Sequence, residues 1–388
     1  MTSRPLSNRT RELSPFHVMD ILAQAKALSE QGRSIIHMEV GEPDFSTADS
    51  IVSAGIEALK QGQTFYTPAL GLPELREAIS AYYQRKFSVQ VDPERIIVTP
   101  GASGAIQLAI TSLLDAGDNV LLSDPGYPCN RNIAQVLASD TVSVPVGAES
   151  YYQLNAQLAE RYWNERTRAA MVATPSNPTG TVLPLTQLRE LDNCISEKGG
   201  VLIVDEIYQG LVYDSSDYTA LSVSDDCFVI NSFSKYFGMT GWRVGWMVVP
   251  ELYVDAIDRI AQNIFLAPPT ISQHAAITAL QEDTQVEHDR RRDEFKKRRD
   301  FLLPALKQIG FDIAVEPRGA FYIYANCERF TDDSFSWGKQ MLDEQGVAIT
   351  PGIDFGDHHA NLHCRFAYTQ SLPVLEQAVD KIAAFVHR

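Results

Sequence analysis

Between residues 46 and 250 the chain alternates seven short apolar runs with helix-like segments, and this alternation restricts the fold more than any other feature. The runs are RIIVT (95–99), NVLLS (119–123), TVSVPV (141–146), AAMVAT (169–174), VLIVD (201–205), CFVIN (227–231) and RVGWMVV (243–249). They are apolar at successive positions rather than alternate ones. Strands of that kind belong to a mostly parallel sheet covered by helices on both faces. The loop between the sixth and seventh runs is too short for a helical crossover, so the seventh is expected to run antiparallel to the sixth.

After VVP (248–250) the pattern changes. A long helical stretch is expected over roughly 251–305, followed by a short hairpin in FDIAVEPRGAFYIYANC. A helix, a short strand around GVAITPG and LHCRFAY, and a terminal helix complete the chain. SPFHVMDILAQAKALSEQG, near the start, reads as an amphipathic helix with no place in the alternating series. The fold class is therefore α/β: a large domain over 46–275 with a mostly parallel seven-stranded sheet covered by helices, and a smaller α+β domain built from 1–45 and 276–388. No internal repeat or low-complexity tract interrupts it.

Composition removes several function classes. Of the 388 residues 45% are hydrophobic and 21% charged, enough for a large core. The formal net charge of −16 argues against nucleic-acid and anionic-membrane binding, which need a basic footprint. The basic run RRRDEFKKRRD, Arg290 to Asp300, has acids interspersed and reads as a solvated helix face. Five dispersed cysteines without a C-x-x-C pair fit reduced thiols rather than a disulfide frame or zinc site. His358, His359 and His363 lack the spacing of a metal site and are read as loop residues, so no metal is expected. MTSRPLSNRTREL has no apolar secretory core, and no apolar run approaches the ~18 residues of a membrane helix. The expected setting is the cytoplasm.

Ligands of open α/β sheets bind beyond the carboxyl ends of the strands. The segments that leave the runs are therefore informative: PGASGAIQLA, DPGYP, PSNPTG, DEIY and SFSK. With an antiparallel seventh strand, one rim gathers Tyr127, Asn177, Asp205, Tyr208, Ser232, Lys235 and Arg243. PGAS leads into a helix expected to begin near Gly104, whose free N–H groups suit an anion. Ser232 and Arg243 add a hydroxyl and a two-pronged cation, which suit phosphate. Asp205 closes an apolar strand, where a carboxylate needs a cationic partner. An amine, a phosphate cradle, a carboxylate for a ring nitrogen and an aromatic ring together describe pyridoxal 5'-phosphate held as a Schiff base. Each residue also has a plainer reading: Lys235 as a surface cation, Asp205 as a helix cap, Tyr66 and Tyr127 as core aromatics, Arg365 as a strand residue paired to a local acid.

GEPDF (41–45), YTPALGLPELREAI (66–79), PSNPTG (175–180), DEIY (205–208), SFSKYFGMTGWRVGW (232–246) and CRFAY (364–368) stand in one order and spacing along nearly the whole chain. In this the chain resembles the class I/II pyridoxal-phosphate-dependent aminotransferases of the aspartate aminotransferase fold, fold type I. The resemblance implies that Lys235 binds the cofactor and shuttles the proton, that Asp205 pairs with the ring nitrogen, and that Asn177 and Tyr208 bond the ring's phenolic oxygen. It implies that Tyr127 stacks on the ring and that Gly101, Ala102, Ser103, Ser232, Ser234 and Arg243 hold the phosphate. Arg365, with Asn177 and the Gly41 backbone, would bind the substrate α-carboxylate. Tyr66 would reach the phosphate of a neighbouring subunit, making the active unit a homodimer.

The activity so implied is ping-pong exchange of an amino group between an α-amino acid and a 2-oxo acid. A C–S lyase or related eliminating enzyme of the same fold shares these residues and is the alternative. A cofactor-sensing transcription regulator would need a DNA-binding domain, and only about 40 residues precede GEPDF. Serine at 103, where aspartate-type relatives often carry lysine, together with Phe16, Val18 and Met19 as a candidate apolar pocket, leans the expectation towards neutral or aromatic donors.

Overall fold

The computed structural model describes residues 7–13 and 16–387. Its strands in chain order are β1 (Ile36–His37), β2 (Ile96–Thr99), β3 (Asn119–Asp124), β4 (Asp140–Pro145), β5 (Thr167–Ala173), β6 (Val201–Asp205), β7 (Phe228–Ser232), β8 (Gly245–Val248), β9 (Tyr322–Asn326), β10 (Val347–Ala348), β11 (Thr350–Pro351) and β12 (His363–Ala367). Seven of them form one sheet in the order β2-β8-β7-β6-β5-β3-β4. Within it β8 runs antiparallel to both β2 and β7, and the other pairings are parallel. Every apolar run of the sequence thus falls on a strand of this sheet.

Successive residues of the central strands enter two different cores, as the two-residue period of a strand requires. Leu202, Val204 and Val229 pack on one face, while Ile203, Phe228 and Ile230 pack on the other. Each large aliphatic side chain so buried contributes about 1.5–3 kcal/mol. The exception is β4, an edge strand on which only Val144 is fully enclosed. The polar residues of TVSVPV face outwards there.

The smaller part holds a two-stranded parallel sheet, β1 with β10, and a three-stranded antiparallel sheet in the order β11-β12-β9. It departs from expectation in four places. The stretch 251–305 is not one helix but three: Glu251–Ile264, Thr270–Ala279 and Glu282–Ile309. Pro268 and Pro269, which cannot continue a helix, separate the first two. The expected hairpin forms only its second arm, β9. Its first arm makes a single bridge, Asp312 to Asn326. Pro317 has no N–H to give to a ladder, and the Arg318 and Gly319 amides both donate to the Gly180 carbonyl at 2.9 Å. GVAITPG supplies two strands, β10 and β11, to different sheets. Finally, RRRDEFKKRRD is only partly a solvated face. Arg298 and Arg299 are buried, donating to Asp44 at 2.8 Å and to Asp214 at 2.5 Å respectively.

The amphipathic helix near the start runs over His17–Glu30; Ser14 and Pro15 of that reading, and residues 1–6, lie outside the described residues. Asp354 fixes the helix start by accepting the His17 and Val18 amides at 2.8 and 2.7 Å. Among the described residues no helix is long and apolar enough to cross a membrane.

Candidate active site

The carboxyl ends of β5, β6 and β7 open on a cavity of about 320 Å³, within the size range of small-molecule sites. Its wall takes Asn177 from the loop after β5, Asp205 and Tyr208 from the end of β6, and Ser234 and Lys235 from the turn after β7. Ala102 and Ser103 come from the helix Gly101–Leu113, and Arg365 and Tyr322 from the small sheet. The segment after β1 supplies Glu39, Gly41 and Glu42. Large and small parts of the fold therefore meet at one site.

Asp205 is buried there and Lys235 half-buried, and the low-polarity surroundings act on each in opposite senses. Burial holds the Lys235 amine well below the ordinary lysine range, to about 8. The Glu42 carboxylate opposes that shift, and Arg365 and Arg243 reinforce it. Lys235 Nζ donates to the Gly41 carbonyl at 2.6 Å. Burial raises the Asp205 carboxyl to about 6, against the stabilising Ile207 amide and the Lys235 charge. Ile207 N donates to Asp205 Oδ1 at 3.0 Å. An amine that sheds its proton near neutrality can act as nucleophile and proton carrier.

An anion cradle lies to one side. The helix beyond β2 begins at Gly101, three residues earlier than the sequence suggested, because Pro100 takes the position before its first turn. Its leading N–H groups have no acceptor within the helix. Gly101 has φ +74°, and a Cβ built there would stand 2.6 Å from Arg243 Nη2. The guanidinium thus rests on bare backbone where any other residue would carry a side chain. Gly245 permits a second close approach, since a Cβ on it would lie 3.1 Å from the Ala102 nitrogen. Arg243 itself precedes β8 rather than opening it, in a left-handed conformation at φ +53° after the turn Thr240–Trp242. Ser234 stands on the cavity wall. Ser232 lies behind it, donating to the Val244 carbonyl and to Ser234 Oγ at 3.3 and 2.9 Å.

A second cluster centres on Arg365. Its Nη1 donates to Asn177 Oδ1 at 2.8 Å, and its Nη2 to the Glu39 carbonyl and to Thr350 Oγ1 at 2.5 and 3.1 Å. Its Cζ lies 4.2 Å from the centroid of the Tyr322 ring and 4.8 Å from that of Phe355. The Nε of this buried arginine has no partner, which leaves a donor for an incoming anion. The Tyr208 and Tyr322 hydroxyls are 2.7 Å apart. Burial, with each phenol beside the other, raises Tyr208 well above the ordinary tyrosine range. Gly41 is forced: a Cβ there would sit 1.7 Å from Tyr322 Oη.

Tyr127 lies on the wall with its ring edge towards Phe16, centroids 6.5 Å apart. Phe16, Val18 and Met19, the suggested apolar pocket, line the same cavity and are joined by Leu22. Tyr66 is outside it, with 83% of its surface exposed. Sequence reasoning missed Tyr322 and Glu39, which reach the wall from β9 and from beyond β1. The available signal for Glu39 was a carboxylate inside the apolar run IIHMEV. His363 stacks on Tyr324 at 4.7 Å, its Nδ1 2.8 Å from the His359 carbonyl.

Comparison with known proteins agrees with this geometry. The family model described as aminotransferase class I and II matches residues 33–382. The valine–pyruvate aminotransferase of Mycobacterium tuberculosis is 37% identical over 374 residues, covering 96% of each chain. The aspartate/prephenate aminotransferase of Thermus thermophilus is 32% identical, over 99% of this chain and 100% of its own. The crystal structure of an aminotransferase from M. tuberculosis superposes with a TM-score of 0.96 at 36% identity, over 99% of this chain and 100% of that one.

Proposed function

The chain belongs to the class I and II aminotransferase family, and from that premise we propose that it binds pyridoxal 5'-phosphate in the cavity of Lys235 and moves an amino group from an α-amino acid to a 2-oxo acid. The observation that carries the proposal is the placement of a half-buried amine, Lys235, and a buried carboxylate, Asp205, on one cavity wall beside an anion cradle. The residues present fit the cofactor. Arg243, Ser234, Gly101, Ala102 and Ser103 would take its phosphate, with Ser232 holding Ser234 in place. Tyr127 would stack on its ring, and Asn177 and Tyr208 would bond the phenolic oxygen. When bound, the cofactor supplies a ring that withdraws electrons from the substrate α-carbon.

The protein's own groups do the rest. Lys235 would hold the cofactor at rest, yield to the substrate amine, and then carry the proton that leaves the substrate α-carbon. A lysine that sheds its proton near 8 can do both. Asp205 keeps the ring nitrogen protonated, and the positive ring in turn lowers the cost of a charged carboxylate at a buried site. Arg365 takes the substrate carboxylate through its free Nε, held rigid by Asn177, Thr350 and the Glu39 carbonyl, beside the Gly41 backbone. The two half-reactions use the same residues in reverse, so the kinetics are ping-pong.

The wall formed by Phe16, Val18, Met19 and Leu22 favours neutral or aromatic donors. The M. tuberculosis relative is named for valine and pyruvate, the T. thermophilus one for aspartate and prephenate. We take 46–275 as the cofactor-binding unit, 1–45 with 276–388 as the smaller one, and the cytoplasm as the setting. The active unit is a homodimer. Thr270 donates to the Phe65 carbonyl at 2.7 Å and Gln273 to Thr67 Oγ1 at 3.0 Å, while Phe65 and Tyr66 stand exposed at 81% and 83%. That arrangement suits a tyrosine presented to a partner's phosphate site. Borohydride reduction of the cofactor-loaded protein followed by peptide mapping tests the assignment. The pyridoxyl group should be found on Lys235, and finding it on another lysine would overturn the reading.

A further inference from the structure

A helix start commonly carries a serine, threonine, aspartate or asparagine that accepts from the free amides of the first turn. The helix His17–Glu30 begins instead after Phe16, which gives it no side-chain cap. Phe16 serves elsewhere. With Val18, Met19 and Leu22 it lines the cavity, and its ring meets that of Tyr127 edge to face. The first turn of this helix is thus cavity wall, and it cannot cap itself. The missing acceptor lies 336 positions along the chain from Val18. Asp354, only 3% exposed, takes the His17 amide on Oδ1 at 2.8 Å and the Val18 amide on Oδ2 at 2.7 Å. Its negative charge also suits the positive end of the helix dipole.

Asp354 is itself held at a fixed point. It ends the turn Gly352–Asp354 that follows β11. The next residue, Phe355, packs on Arg365, and its carbonyl accepts the Gly126 amide at 2.8 Å, beside Tyr127. Two residues further on, the Asp357 amide donates to the Asp124 carboxylate at 3.0 Å. The middle of the helix is secured separately, since Ile21 and Ala25 are enclosed in a small core with Leu342 and Ala348. Loss of the Asp354 carboxylate therefore frees the first turn while the rest of the helix stays docked. From this geometry we infer that Asp354 is the positioning residue of the side-chain subsite, holding Phe16, Val18 and Met19 in register for amino donors with large apolar side chains. It is not on the cavity wall and takes no part in the chemistry at Lys235. The inference rests on the amino-transfer reading and assigns the apolar wall to the donor side chain.

Donors that differ in side-chain size test it on the cofactor-loaded enzyme: alanine against leucine, methionine and phenylalanine. In the wild type at least one large donor should lead alanine in kcat/KM by about tenfold or more, the range expected for burying a large apolar side chain. Asp354→Ala should bring that pair to within about threefold, through KM rather than kcat, with alanine turnover and cofactor retention nearly unchanged. Should that variant fail to fold, Asp354→Asn keeps the size but offers one acceptor to two amides, and should narrow the preference by about threefold or more. Equal losses for alanine and the large donor would make Asp354 merely structural. That result, an unchanged preference, or no preference in the wild type overturns the inference. Calorimetry with propionate and hydrocinnamate, carboxylates that have no amino group to give, separates the two readings. If no donor is turned over, amino transfer has failed. Tighter binding of hydrocinnamate that is lost on Asp354→Ala then still supports the role of Asp354, and its absence or survival still overturns it.

Discussion

Replacing Gly101 by alanine probes the anion cradle with one methyl group. The structure sets two costs. The backbone at φ +74° is foreign to an L-residue with a side chain, at roughly 1–2 kcal/mol. The new Cβ would also stand 2.6 Å from Arg243 Nη2 and 3.2 Å from its Cζ, closer than contact distance allows. Arg243 is exposed and its far end flexible, so it swings aside cheaply and the second cost falls on ligand binding rather than on folding. For a chain of this length the unfolding entropy is about 0.8 kcal/mol/K, so the first cost lowers the Tm of cofactor-free protein by only about 1–3 °C. Loss of the charge-assisted contact from Arg243, about 1.5–3 kcal/mol, weakens pyridoxal phosphate some 10- to 150-fold. Fluorescence titration of the cofactor into the stripped protein measures this. Because the methyl acts through Arg243, its effect on affinity should largely vanish in an Arg243→Ala background. Unchanged affinity for Gly101→Ala, or full additivity with Arg243→Ala, would refute the reasoning.

The same geometry fixes other outcomes. Asp205→Asn should lower turnover by roughly 10- to 150-fold, the loss of a charged hydrogen bond to the ring, with cofactor retention little changed; transamination at the wild-type rate would reduce Asp205 to a helix cap. In cofactor-free protein the rate at which pyridoxal phosphate captures Lys235 should rise with pH through about 8. Since that amine titrates lower folded than unfolded, its burial destabilises the fold fully below about 8, and the penalty fades as pH climbs from there towards 10.5. A capture rate that still follows an ordinary lysine titration would contradict the burial argument. Tyr66→Phe and Lys235→Ala subunits, mixed equally with the cofactor limiting, should recover activity towards about a quarter of wild type, because half of the dimers are hybrids with one intact site of two. No recovery after confirmed exchange would place Tyr66 at its own site or at none.

The large sheet was readable because its strands are apolar at successive positions, and the polar residues at their ends then fell on one rim without further information. Lys235, Asp205 and Asn177 were found that way. What escaped depends on approach between distant segments. Tyr322 reaches the site from β9 and Glu39 from beyond β1, in the small part, whose short runs carry no comparable pattern. Ser232 ends a strand and was placed with Ser234, but its hydroxyl is taken up by the Val244 carbonyl and by Ser234 Oγ, and only Ser234 reaches the cavity wall. The missing hairpin has a similar cause. Arg318 and Gly319 bond the Gly180 carbonyl, 138 and 139 positions away in the chain, and no local propensity reports that. Arg298 and Arg299 look solvated in a charged run until Asp44 and Asp214 are brought to them.

A single half-reaction tests the central claim most directly. Cofactor-loaded enzyme is mixed with an amino donor in the absence of any 2-oxo acid, and the products are counted against active sites. Amino transfer through Lys235 predicts one equivalent of 2-oxo acid per site and no ammonia, then a halt until a second 2-oxo acid restores the starting form. Continuous release of 2-oxo acid together with ammonia would mean elimination instead, and would contradict the account.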